Sequence, residues 1–185
     1  MVNKILHCFD LLPFWGEAIG LIILVLAALV WAITINNVAR GKFSKSVLTL
    51  SACALITLPY IGKSAIWRGC LAQAGIVLLF AGVAAYFYHR YLETKAIKYL
   101  IYAPLCSMVA LCFDKAYITT VIMGAGFVLM MHILQEKYTW KRFFSEAIKL
   151  FGWVICSVFV TVVFVKLLQF VLGVTPNNYT STYFR

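Results

Sequence analysis

Polar positions in this chain do not alternate with apolar ones. They interrupt long apolar runs, of which residues 21–29 are one without a break. A strand of a membrane β-barrel would alternate instead. A helix needs about 20 apolar residues to cross the hydrocarbon core of a bilayer. Six stretches reach or approach that length: 17–35, a short one over 47–61, then 65–87, 97–113, 116–134 and a long one over 147–174. The pattern predicts an all-α, polytopic membrane protein with about six transmembrane helices. Pro104 inside the fourth stretch predicts a bend, and Gly124-Ala125-Gly126 in the fifth predicts close helix approach. The chain start carries Asp10, Pro13 and Glu17 with no small-residue cleavage site after a short apolar core, unlike a signal peptide.

Composition agrees. Of 185 residues 64% are hydrophobic and 12% charged, and the mean hydropathy is +0.94. Soluble domains are about half apolar and a quarter charged. One core of this size could not bury so much apolar surface, which excludes a soluble domain, a disordered tail and a secreted disulfide scaffold. Cys8, Cys53, Cys70, Cys106, Cys112 and Cys156 are scattered without a C-x-x-C pair, and Cys in an apolar span acts as a small hydrophobe. His7, His89 and His132 lie far apart along the chain and show no metal-ligand spacing. The Met130-Met131-His132 run reads as packing. Nothing in the sequence calls for a cofactor or a metal.

The sixteen basic and six acidic residues give a net charge of +10. Their distribution matters more than their sum. The connections 36–46, 88–98 and 135–149 hold Arg40, Lys42, Lys45, Arg90, Lys95, Lys98, Lys137, Lys141, Arg142 and Lys149, ten of the sixteen cations. The positive-inside rule puts these three connections in the cytoplasm and both chain ends outside. Tyr86, Tyr88, Tyr91, Tyr138 and Trp140 flank the inner ends, as interface aromatics do. The basic loops read as anchors to membrane lipids, and no basic stretch stands apart to suggest nucleic acid.

The remaining polar residues collect on the outer side: Asp10, Glu17, Lys63, Arg68, Asp114, Lys115, Lys166 and Gln169. Pro59 and Gly62 break the helix between the second and third spans, with Lys63 and Arg68 beside Tyr60 and Trp67. These cations either snorkel to headgroups or grip a phosphate at that depth, Arg through paired donors and Lys as a point charge. Asp114 and Lys115 sit in so tight a turn that they either neutralise each other or serve a site. Lys166 and Gln169, three apart, share a helix face. Lys63, Arg68, Asp114 and Lys115 are expected to converge on one outward-opening polar cavity.

The order of features resembles the middle portion of the bacterial and phage O-antigen glucosyltransferase family, the membrane enzymes of serotype conversion. The resemblance rests on Asp10-Leu11-Leu12-Pro13-Phe14 opening a span and on Leu58-Pro59-Tyr60 at an outer turn. It rests further on Phe113-Asp114-Lys115-Ala116-Tyr117-Ile118 in a hairpin, and on Tyr138-Thr139-Trp140-Lys141-Arg142-Phe143-Phe144 leading into a long span. It implies a GT-C-like enzyme of the inner membrane that transfers glucose from a polyprenyl-phosphate donor to a glycan acceptor such as the O-antigen of lipopolysaccharide. A carboxylate would act as general base, and cations would stabilise the departing phosphate. The catalytic candidates are Asp10, Glu17 and Asp114. The substrate-binding candidates are Lys63, Arg68, Lys115, Tyr117 and Lys166. The family's acidic pair in an outer loop has no counterpart, and the chain ends at Tyr183-Phe184-Arg185 soon after its sixth span. It therefore reads as a single transmembrane helical domain, part of a larger enzyme. A non-catalytic multi-pass protein, flippase-like or an assembly subunit, needs the same spans and loops. A transporter among these would be expected to show an internal repeat or broken helices near the midplane; the sequence shows no convincing repeat, and its polar residues sit at the outer edge rather than the midplane.

Overall fold

The computed structural model describes residues 13–56, 70–113, 118–135 and 140–172. Six helices cover nearly all of them: α1 (Pro13–Val38), α2 (Lys45–Ile56), α3 (Cys70–Thr94), α4 (Ile97–Phe113), α5 (Ile118–Gln135) and α6 (Trp140–Leu172). No strand occurs among the described residues. Three helices contain segments long and apolar enough to cross a membrane, Glu17–Val38, Leu71–Thr94 and Phe143–Val171. Ile97–Cys112 and Thr119–Leu134 are shorter apolar helices.

Two helices extend well past their apolar cores. α3 was expected to end near 87 and runs to Thr94, so the connection expected over 88–98 shrinks to Lys95 and Ala96. The cause is packing: Tyr88, Tyr91 and Leu92 are buried. Tyr88 and Tyr91 are therefore not interface aromatics, as expected, but core residues. The Tyr88 ring stacks on Trp153 of α6, 5.3 Å between centroids and 10° between planes. Trp140, by contrast, is exposed. α6 begins at Trp140, seven residues before the expected 147. Its first turns are amphipathic, with Glu146 and Leu150 buried and Trp140, Phe144 and Ile148 exposed. Pro13 opens α1, where a missing N–H costs nothing because that group has no intrahelical partner.

Helix α3 is the centre, packed against α1, α4 and α5; α2 packs on α1, and α6 lies against α4 and α5. Helices α1, α3 and α5 run in the same direction. Gly20 near the start of α1 faces Ala72 near the start of α3, where an added Cβ would come within 2.8 Å of the Ala72 nitrogen. Deeper in, Trp31 of α1 donates its Nε1–H to the Leu78 carbonyl at 3.0 Å. Its ring fills the space left by two missing side chains. A Cβ on Gly82 would meet the ring at 3.0 Å and one on Gly124 at 2.5 Å. Ala81, Ala84, Ala85 and Ala125 complete this small-residue seam. The close approach expected for Gly124-Ala125-Gly126 thus belongs to Gly124 and Ala125, while Gly126 has open space beside it. Buried hydroxyls bond back to their own helix: Thr34 to Val30, Ser107 to Ala103, Ser157 to Trp153 and Thr161 to Ser157. Pro104 lies buried inside α4.

Candidate functional site

Because α1, α3 and α5 share a direction, their C-terminal ends meet, and with them the starts of α2, α4 and α6. The three basic connections therefore converge on one end of the bundle. The backbone turns sharply there. Arg40 and Lys95 both take left-handed φ of 54° after their helices, followed in the first case by Gly41 at 69°. The Gly41 N–H reaches back to the Asn36 carbonyl at 3.0 Å, and the Lys95 N–H to the Tyr91 carbonyl at 2.8 Å.

Two polar clusters occupy this end. In the first, His89 Nδ1 of α3 lies 2.9 Å from His132 Nε2 of α5, both rings buried. His89 Nε2 is 3.6 Å from Glu93 Oε2, which also accepts from Arg90 Nη1 at 3.3 Å. Arg40 stands within electrostatic reach of His89. One imidazole must donate and the other accept across that 2.9 Å contact. The pair can therefore hold one extra proton but not two, since two N–H groups would then point at each other. In the second cluster, Glu146 of α6 accepts through Oε1 from Lys95 at 2.9 Å and Lys149 at 3.1 Å. Its side chain is 5% exposed, while both lysines keep about two-fifths of their surface in water. A carboxylate between two ammonium groups is a good clamp. It fastens α6 to the α3–α4 junction, where the Lys95 ammonium also lies 5.4 Å from the Tyr91 ring centre.

These groups were not among the sequence candidates. His89 and His132 are 43 residues apart, and spacing along the chain hid them. The usable signal was depth: each lies a turn or so from the C-terminal end of a helix that ends among the basic connections. Glu146 could have been found from the amphipathic pattern of 140–151, which continues the sixth span as a helix. Among the described residues no group of three or more His, Cys, Asp or Glu side chains is placed to hold a metal ion.

Of the sequence candidates, Glu17 and Lys166 are described, and both are exposed. Glu17 is near the start of α1 and Lys166 near the end of α6. Helix direction therefore puts both at the end opposite the basic connections. Gln169 is half-buried. Asp10, Lys63, Arg68, Asp114, Lys115 and Tyr117 lie outside the described residues, as does the cavity expected between the two outer hairpins.

No curated protein and no solved structure matches this chain. The family described as Glucosyl transferase GtrII matches over residues 1–183. That span takes in all six helices and both ends of the bundle, so the chain belongs to the GtrII glucosyl transferase family.

Proposed function

We propose that the chain is a multi-pass glucosyltransferase of the bacterial inner membrane. It moves glucose from a polyprenyl-phosphate donor to a surface glycan such as O-antigen, at the extracytoplasmic end of the bundle. The observation that carries this reading, beside the family match over residues 1–183, is the polarity of the bundle. The basic connections gather at one end, which the positive-inside rule assigns to the cytoplasm. Glu17 and Lys166 belong to the other end.

In this reading a carboxylate among Asp10, Glu17 and Asp114 takes the proton of the acceptor hydroxyl as its oxygen attacks the anomeric carbon. The bond from that carbon to the lipid phosphate oxygen breaks. Lys63, Arg68, Lys115 and Lys166 stabilise the charge that grows on the leaving phosphate, with Tyr117 as a further substrate-binding residue. Removing the working base would lower turnover by about 10²–10⁴-fold.

The test is a transfer assay in membranes carrying this chain, with defined polyprenyl-phosphate glucose and O-antigen acceptor, against Asp10→Asn, Glu17→Gln and Asp114→Asn variants. Glucose transfer abolished by one of them supports the reading. Equal glycan in the presence and absence of the chain would favour a non-catalytic membrane protein.

A further inference from the structure

A second amphipathic feature lies at the basic end, on the outer face of the α3–α4 pair. Arg90 of α3 and Lys98 of α4 both stand near Tyr99. The Lys98 ammonium is 5.1 Å from the Tyr99 ring centre, and Arg90 stands within electrostatic reach of Tyr99 and Tyr86. Both cations reach water: the Arg90 side chain is 41% exposed, and Lys98 is exposed. Below them an aromatic column descends along the same face. Phe87 stacks on Tyr99 at 6.1 Å, and its ring is 5.6 Å from Tyr102 and 6.0 Å from Tyr86. Tyr102 is 46% exposed, and Phe87, Tyr99 and Tyr86 are half-buried. Two cations thus sit above a partly open aromatic strip that points down the apolar flank of the bundle.

We propose that this face binds one anionic phospholipid of the surrounding leaflet. Arg90 and Lys98 hold the headgroup phosphate, and the Phe87–Tyr102 strip takes the upper part of an acyl chain. Charge complementarity and the vertical order select this occupant. A phosphate diester with a tail carries its negative charge and its apolar length in the sequence in which the protein offers cations and rings. Arg presents paired donors that fit phosphate oxygens, and Lys adds a point charge. Glu93 takes Arg90 through Nη1 at 3.3 Å, and a guanidinium with five N–H donors keeps others for a phosphate. A free soluble phosphate would use the cations but not the rings. The inference does not depend on which sugar the chain transfers or whether it transfers one.

The experiment uses the full chain purified in detergent, stripped of native lipid and titrated with dioleoyl-phosphatidylglycerol or dioleoyl-phosphatidylcholine. Bound lipids are counted by native mass spectrometry. The expected result is one phosphatidylglycerol retained at least about tenfold more tightly than phosphatidylcholine. Arg90→Gln with Lys98→Gln abolishes that preference. Lys42→Gln with Lys45→Gln, exposed cations in the connection before α2 and at its first residue, leaves it intact. Tyr102→Ala weakens retention of the lipid, and glycerol phosphate without a tail does not compete at the same concentrations. Lys98→Gln alone, a change at an exposed side chain, gives a partial loss should the double variant fail to fold. Equal retention of the two lipids would overturn the proposal. So would an equal loss in the Lys42–Lys45 variant, which would mean a diffuse basic surface, or full competition by glycerol phosphate.

Discussion

Helices α3 and α6 are both long and apolar enough to cross a bilayer, yet they play opposite parts. In the apolar window of α3 56% of residues are buried inside the protein, against 11% in that of α6. The more apolar of the two is the less buried. In water that ordering would be perverse. In lipid it follows from the solvent: hydrocarbon is as apolar as leucine, so burying a large aliphatic side chain against protein gains little. Close packing decides instead, and small residues pack closely. Helix α3 offers Ala74, Ala81, Ala84 and Ala85, all at most 1% exposed, together with Gly75 and Gly82 against α1. Helix α6 turns Phe144, Ile148, Phe151, Ile155 and Phe159 outward. It holds to the bundle by one face, through Glu146, Leu150, Trp153, Ser157 and Thr161.

The comparison breaks outright if the two helices do not share an orientation axis. Cysteine probes at Thr94 and Lys141, in a cysteine-free background, should both be blocked by a membrane-impermeant reagent only after the cytoplasmic side is opened. A probe at Lys166 should react in intact cells. The effect is all-or-none, and outside labelling at Thr94 would reverse the bundle.

Packing gives the next largest effect. Gly124→Leu drives a side chain into the Trp31 ring, and overpacking of this kind costs about 1–3 kcal/mol. At exposed Gly152 on α6 an added Cβ meets nothing within 4 Å, so Gly152→Leu should leave the melting temperature in detergent within a degree or two of the parent, by the usual scale for surface changes of about 0.5 kcal/mol or less. Similar losses from both would mean that α6 is as embedded as α3.

A smaller change separates the clamp from the seam. Glu146→Gln keeps the shape of the side chain but leaves two lysines facing each other. Loss of charged hydrogen bonds costs about 1.5–3 kcal/mol, and the lower end applies because both lysines stand partly in water. The loss should show as faster proteolysis of the α5–α6 region, with α1 and α3 still protected. Uniform loss of protection would show that Glu146 holds the whole bundle. Smallest of all, Trp31→Phe keeps an aromatic ring in its slot but removes the bond to the Leu78 carbonyl. A cost of about 0.5–1.5 kcal/mol is expected, read as a modest fall in melting temperature. No change would mean that ring packing alone holds α1 to α3.

Much of this was open to reading along the chain. Long apolar runs separated by basic connections determine an all-helical chain suited to a bilayer, because a backbone in hydrocarbon must satisfy its own hydrogen bonds. The clustering of Arg40, Arg90, Lys98 and Lys141 at one end follows from helix alternation alone. The tertiary structure decided which helix is central, since hydropathy does not distinguish a lipid-facing side chain from a buried one. It decided that Tyr88 and Tyr91 pack inside, because an amphipathic ring can serve either an interface or a core, and only Trp153 across from it settles the choice. It also decided that His89 meets His132 and that Glu146 meets Lys95. Such pairs depend on the depth and rotation of separate helices. Side-chain packing between helices sets both, and no spacing within one helix encodes them.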